Sequence, residues 1–238
     1  MTGVNSPSES SANYLKAIYH LTELYGAAEQ QQIASALGVS AAGVTKMLRS
    51  LAKYDWITYT PYKKVYLTEV GRSAAIEIIR RHRLIELYLV KTLGYEWDKV
   101  HTEAERLEHY ISSEFEDRIE RLLGYPTVDP HGDPIPSRDG AMPPPVTTTL
   151  NSMPCDEWLV IKRVIDEDDA FLRYLDEHGL LPGTRVQVIE REPYGGSLHI
   201  RLVEREVRIS PKAAESIYVT PEALLNLSDP VPESMKGI

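Results

Sequence analysis

From Ala12 onward, apolar residues recur at helical spacing. Tyr14, Leu15, Ile18, Leu21 and Tyr25 fall on one face, and Gly26 ends the run. A second, shorter pattern over Glu29–Leu37 turns Ile33, Ala34 and Leu37 inward, with Gly38 at its C′ position. Ser40 is placed to cap a third helix, Ala41–Tyr54, whose inward residues are Val44, Met47, Leu48 and Leu51. The pattern then changes. Residues 56–67 form two β-branched and aromatic runs around a proline turn, which predicts a hairpin. Thr68 caps the next helical run, which carries Arg72, Ile76 and Ile79 and reaches about Lys91.

Beyond Gly94 a short helix is expected near Trp97, and a longer one over Thr102–Leu123. Eight prolines in the 29 residues from Pro126 to Pro154 predict an extended tether. The periodicity next becomes that of strands: Trp158–Val164, Arg185–Glu192, Leu198–Val203 and Val207–Ile209, with a turn at residues 193–197 and one helix over Asp168–His178. The fold class is therefore mainly α with α+β parts. The expected domains are 1–73, a winged helix-turn-helix; 74–142, helices; 143–156, a tether; 157–225, a small β-rich module; and 226–238, a tail. Residues 1–10 are Ser-rich and read as a disordered arm.

Composition sharpens this picture. No run of 18 apolar residues exists, and the N-terminus lacks the basic and apolar regions of a signal peptide, so a cytoplasmic protein is expected. The single cysteine, Cys155, excludes an intrachain disulfide framework and is expected as a small buried residue. Trp97, Trp158 and Tyr110 are expected in a core or a dimer interface.

The net charge of −9 argues at first against nucleic acid. Its distribution reverses that reading. Between Ala41 and Lys91 stand ten basic residues and four acidic ones, while the rest of the chain carries 16 basic and 31 acidic. A positive segment on an acidic body points to polyanion binding by the N-terminal part.

That segment holds the two helices joined by Gly38-Val39-Ser40, at helix-turn-helix spacing, and the wing after them. On the recognition helix the residues not required by the core are Ser40, Ala41, Ala42, Gly43, Thr45, Lys46 and Arg49. Small residues at its start permit close approach to a major groove. Thr45 and Lys46 reach base edges or phosphates, and Arg49 and Lys53 reach the backbone. Lys63 and Lys64 occupy the wing tip. The bland alternative is a small helical bundle with a solvated basic face.

A second constellation carries metal chemistry. His82 and Glu86 are four apart on one helix; His101, Glu105, Glu108 and His109 share one face of the next. Imidazole nitrogen mixed with carboxylate oxygen suits a borderline or hard divalent first-row ion. Thiolate is absent, which argues against a structural zinc site. Three carboxylates facing one another repel unless a cation joins them. The inventory could serve two ions. The alternative is a solvated polar stripe.

These residues, in this order, resemble the DtxR/MntR family of metal-dependent repressors. The similarity runs over about residues 12–220 and is strongest at residues 12–19, 44–47, 67–72, 81–86 and 99–109, with His131-Gly132-Asp133-Pro134-Ile135-Pro136 following. The resemblance implies a winged helix, a helical dimerisation domain and a C-terminal SH3-like (FeoA-like) β-barrel. It matches His82, Glu86 and His101 to an ancillary metal site, and Glu105, Glu108 and His109 to a primary one. Glu at position 105, where iron sensors have Cys, favours manganese; Thr45-Lys46-Met47 and Pro61-Tyr62-Lys63 also resemble the manganese branch. Asn13 and Lys16 depart from it, standing where manganese sensors have Asp and Glu. Glu167 aligns with a further ligand; Ala170 replaces its companion, which leaves Asp168 or Asp169 as substitutes.

The resulting expectation is a homodimeric repressor of metal-uptake genes. It uses Mn²⁺, or alternatively Fe²⁺, as co-repressor, with two ions per subunit, and binds a palindromic double-stranded operator. Metal would join the His82/Glu86 helix to the Glu105–His109 helix and, through Asn13, to the first helix. No membrane or small-molecule substrate is implied. A dinuclear metalloenzyme is the competing class; against it, no Glu-x-x-His pairs stand on two helices and no acid, base or nucleophile stands out.

Overall fold

In the computed structural model, which describes residues 7–60, 63–165 and 168–225, the apolar stripes become packed faces. Two compact units form, interleaved along the chain. One runs to Tyr88 and adds Thr102–Thr127 and Ile135–Pro143; the other comprises Leu89–His101, Val128–Pro134 and the chain from Pro144.

The first unit opens with α1 (Glu9–Tyr25), α2 (Gln30–Leu37) and α3 (Ala41–Lys53). Ser8 caps α1 by accepting from the Ser11 N–H, and Ser40 caps α3 by accepting from the Gly43 N–H. Gly38 ends α2 at φ 63°, a left-handed conformation that L side chains rarely adopt, and its N–H bonds back to α2 carbonyls. The tight turn aims α3 away from α2. Leu15, Ile18, Ile33, Val44, Leu48 and Leu51 are fully buried in one core. Each contributes about 1.5–3 kcal/mol by leaving water.

The wing pairs β1 (Ile57–Thr58) with β2 (Tyr66–Leu67), antiparallel. Its strands are shorter than the apolar runs, because Val65 turns aside to bridge Ala28. The helix α4 (Glu69–Leu93) follows at once. Thr68 starts it by accepting from Gly71 N–H at 3.0 Å while donating to the Asp55 carbonyl at 2.6 Å. Gly71 has no alternative: a Cβ there would stand 1.8 Å from the Trp56 carbonyl oxygen.

A single helix over Thr102–Leu123 does not form. α5 (Val100–Leu107) closes early, residues 108–110 turn, and α6 (Ser113–Leu122) restarts. The cause is Ser112, whose hydroxyl accepts from the Phe115 N–H at 3.2 Å and so offers the backbone a new N-cap. No separate helix begins at Trp97, which lies in the turn leading into α5. A small core of Leu84, Leu87, Ile119 and Ile135 holds α4, α6 and the later segment together.

The second unit is built on five antiparallel strands. They are β3 (Trp158–Val164), β4 (Arg185–Arg191), β5 (Leu198–Leu202), β6 (Glu206–Ile209) and β7 (Ile217–Pro221), in spatial order β6-β5-β4-β3-β7. Helices α7 (Asp169–His178), α8 (Pro211–Glu215) and α9 (Glu222–Leu225) accompany it. Bulges at Ile161/Arg163 and Val188/Glu190 curl the sheet around its apolar face, where Leu159, Ile161, Val186, Val188, Ile200 and Ile217 are fully buried. The fold class is thus as the sequence implies: a helical N-terminal half and a small SH3-like sheet module. The strand β7 was not legible as a strand run.

The proline-rich segment is less free than its composition implies. The Asp129 carboxylate accepts from the N–H groups of His131 and Asp133, and His131 is fully buried. Leu150 enters the sheet core. Isolated apolar anchors of this kind leave no periodic signal. One further expectation is corrected and another is narrowed. Cys155 is exposed, because it lies in the loop before β3. Of the two places expected for Tyr110, the core is excluded: it is 78% exposed in the turn between α5 and α6, which leaves the dimer interface.

Candidate metal centre and nucleic-acid interface

Within the first unit, α1, α4 and the end of α5 bring five candidate residues and one lysine together. His82 and Glu86 stand one turn apart on α4, both buried. The His82 imidazole lies between two carboxylates: Nδ1 is 2.5 Å from Glu108 Oε2, and Nε2 is 3.0 Å from Glu86 Oε1. Only an imidazolium donates in both directions at once. Burial pulls the His82 pKa down, but the Glu86 charge and the hydrogen bonds to Glu108 and Glu86 outweigh it, and the net direction is up. Burial pushes the Glu108 carboxyl up, yet His82 and Lys16 together hold it below the ordinary carboxylate value.

Glu108 is the centre of this arrangement, with a fully buried side chain. Lys16 Nζ lies 3.1 Å from its Oε1 and 3.3 Å from its Oε2, and 3.5 Å from Glu105 Oε1. His109 Nε2 is 3.5 Å from Glu108 Oε1. The α5 helix closes at Leu107, so Glu108 and His109 reach this cluster from a turn rather than from a continued helix face. The Glu108 N–H still bonds to the Ala104 carbonyl at 2.9 Å, which keeps the carboxylate in helical register.

His101 is in the first turn of α5, one turn before Glu105, and is half-buried. Asn13 is half-buried on α1, one turn before Lys16. Glu167 lies outside the described residues. Asp168 and Asp169 are exposed, and the Asp168 side chain caps α7 by accepting from the Ala170 N–H.

The donor set fits a divalent ion. All its atoms are carboxylate oxygen or imidazole nitrogen, and its central carboxylate is held ionised inside the protein by cationic partners. His82, Glu86, Glu105, Glu108 and His109 would supply the donors to bound metal, the imidazoles in neutral form. Metal would therefore displace a proton from His82.

The candidate nucleic-acid face lies on the side of α3 away from its buried stripe. Ser40, Ala41, Ala42, Gly43, Lys46 and Arg49 are all exposed. Thr45 is half-buried, and its hydroxyl donates to the Ala41 carbonyl at 3.0 Å while accepting from Gln30 Nε2 at 2.9 Å. Gln30 also lies 3.4 Å from the Tyr59 hydroxyl, so it links α2, α3 and the segment after β1. Sequence reasoning missed Gln30, since a polar residue at a helix start carries no signal of its partner. Lys63 and Lys64 are exposed in the wing, where the Lys63 N–H closes on the Thr60 carbonyl at 3.1 Å. Among the described residues no helix is long and apolar enough to cross a membrane.

Comparison with known proteins places this geometry. Residues 8–65 match the iron dependent repressor N-terminal DNA binding domain, residues 68–137 the iron dependent repressor metal binding and dimerisation domain, and residues 148–221 the FeoA domain. The chain is 31% identical over 228 residues to the iron-dependent repressor IdeR of Mycobacterium tuberculosis, covering 91% of this chain and 99% of that one. Among solved structures it is similar to a manganese-dependent transcriptional repressor in complex with manganese, at 35% identity and TM-score 0.80, over 89% of this chain and 99% of the other. The manganese regulator SloR matches at 32% identity and TM-score 0.70, over 89% and 98%. With three domains matched in order and a relative aligned end to end, the chain belongs to the DtxR/MntR family of metal-dependent transcriptional repressors, DNA-binding homodimers that depend on a divalent metal and are not enzymes.

Proposed function

We propose that this protein represses metal-uptake genes with Mn²⁺ as co-repressor. The observation that carries the reading is Glu108, a buried carboxylate held between His82 and Lys16 with Glu86, Glu105 and His109 around it. Oxygen at position 105 suits the harder manganese ion better than thiolate would. The similarity to a repressor solved with manganese supports the same choice. Fe²⁺ is the second reading, favoured by the similarity to the mycobacterial iron-dependent repressor.

The ligand assignment is two ions per subunit: His82, Glu86 and His101 for one, and Glu105, Glu108 and His109, with Asn13, for the other. Glu167 is assigned as a further ligand from the C-terminal module. Metal binding orders α1 and α4 about the end of α5. Since α1 packs on α2 and α3, the position of the reading helix depends on the site. Each subunit presents Ser40, Ala41, Ala42, Gly43, Thr45, Lys46 and Arg49 to a major groove, with Lys63 and Lys64 on the flanking backbone. The two-fold symmetry of a dimer calls for a palindromic operator. The proposed division of labour is 1–73 for DNA, 74–142 for metal and dimerisation, 143–156 as connector and 157–225 as the FeoA-like module.

A gel shift against upstream regions of metal-transporter genes, with Mn²⁺ and with chelator, tests the core of this reading. Binding that requires Mn²⁺ is expected; equal binding under chelation refutes it. Metal analysis of the purified protein gives the ion count. Glu105→Cys moves the preference toward Fe²⁺ if selectivity resides there.

A further inference from the structure

The departure at Lys16 has a physical consequence. Lys16 projects from α1 into the carboxylates assigned to the primary metal position. Its ammonium contacts both oxygens of Glu108 and one of Glu105, and its side chain is only 13% exposed. A lysine drawn this far from water, onto a fully buried carboxylate, does the work a bound cation would do: it relieves the repulsion between two acids and ties α1 to α5.

We propose that Lys16 is a tethered cation that occupies the Glu105–Glu108 carboxylates in the metal-free protein and competes with the metal ion for them. The inference rests on the metal-dependent reading above and deepens it. An incoming divalent ion must take the same oxygens, so the Lys16 ammonium has to be expelled to water. The ion then replaces one positive charge with two on the same carboxylates. Lys16 thereby sets the metal concentration at which the protein responds. It also keeps α1 tied to the sensor before metal arrives, so the metal-free state is held together by a salt link instead of by ligand bonds.

A purely structural lysine gives the opposite sign. If Lys16 only braced α1 against α5, removing it would loosen the site and weaken metal binding. If it competes, removing it leaves Glu105 and Glu108 repelling each other without a rival cation, and metal binding tightens.

The test is Mn²⁺ affinity of the full-length protein, measured by competition with a chelating dye, for the parent, Lys16→Met, Lys16→Gln and Lys16→Arg. Circular dichroism confirms that each variant is folded. Lys16→Met and Lys16→Gln are expected to bind Mn²⁺ about tenfold more tightly than the parent, which is the loss of one charge-assisted contact. Lys16→Arg stays near the parent value. Thermal melts give an independent readout. The neutral variants melt lower than the parent without metal, and saturating Mn²⁺ raises their Tm by more than it raises the parent's. Equal or weaker Mn²⁺ affinity in both folded neutral variants overturns the competition. If neither the parent nor any variant binds Mn²⁺ or Fe²⁺, the metal-dependent reading fails and this inference with it.

Discussion

The α3 reading face and the Glu108 cluster lie in the same unit and solve opposite problems. On α3, one stripe (Val44, Leu48, Leu51) goes into the core with Met47 and Ala52 packed at its edge, while Ala41, Ala42, Gly43, Lys46 and Arg49 are left to solvent and to a partner. Its charges cost nothing to keep there, because water solvates them until phosphate does. At the cluster, charge is buried. Glu108 loses its water and must be repaid by His82, Lys16 and, in the metal-bound state, an ion. The exposed face therefore tolerates change with loss of binding alone. The buried cluster cannot lose a member without altering stability, metal affinity and DNA response together.

Substitutions sharpen this contrast. Glu108→Ala carries the largest expected effect. It leaves His82 and Lys16 without their shared counter-charge, and metal-free stability falls by about 3–5 kcal/mol. The metal response of DNA binding disappears with it, as urea unfolding and a gel shift with Mn²⁺ would reveal. Leu48→Ala follows, at about 2–5 kcal/mol of stability from a fully buried site beneath the reading face. Here the metal affinity of the folded protein stays unchanged, which calorimetric titration checks; a large change would mean that the two regions are not separable.

Lys46→Ala is expected to weaken operator binding by about 1–3 kcal/mol if it reads a base edge. Its stability stays within about 0.5 kcal/mol of the parent, since the side chain is exposed. An intact operator affinity would remove Lys46 from the reading surface. The smallest effect belongs to the wing. Lys63→Ala and Lys64→Ala should each lower the slope of log K against log salt by about one, with little dependence on DNA sequence. A sequence-dependent loss would instead place the wing in a groove.

Much of both regions was legible in the chain. The stripes on α1 to α3 and the Gly38 turn appear at their predicted places because helical spacing and a glycine at positive φ are local properties. The strands β3 and β4 were equally clear, since β-branched residues cluster there. The α5–α6 break was not. Apolar spacing runs on through residues 108–112, and only the Ser112 cap, competing with the helix for the Phe115 N–H, shows where the backbone turns. The candidate ligands were found by their types and spacing, but their pairing was not. Nothing local says that His82 meets Glu108, 26 residues away.

The amino-acid sequence by itself determined the winged helix with its basic face, the sheet module and the stock of nitrogen and oxygen donors. Each follows from periodicity, composition or side-chain chemistry, which act within a few residues. Tertiary structure alone decided that Glu108 is the buried hub, that Gln30 engages Thr45, and that Lys16 lies on the carboxylates 89 and 92 residues away. The reason is that burial and long-range charge pairing depend on which elements pack against one another. A lysine on a helix is a solvated charge until the fold brings a buried acid to it.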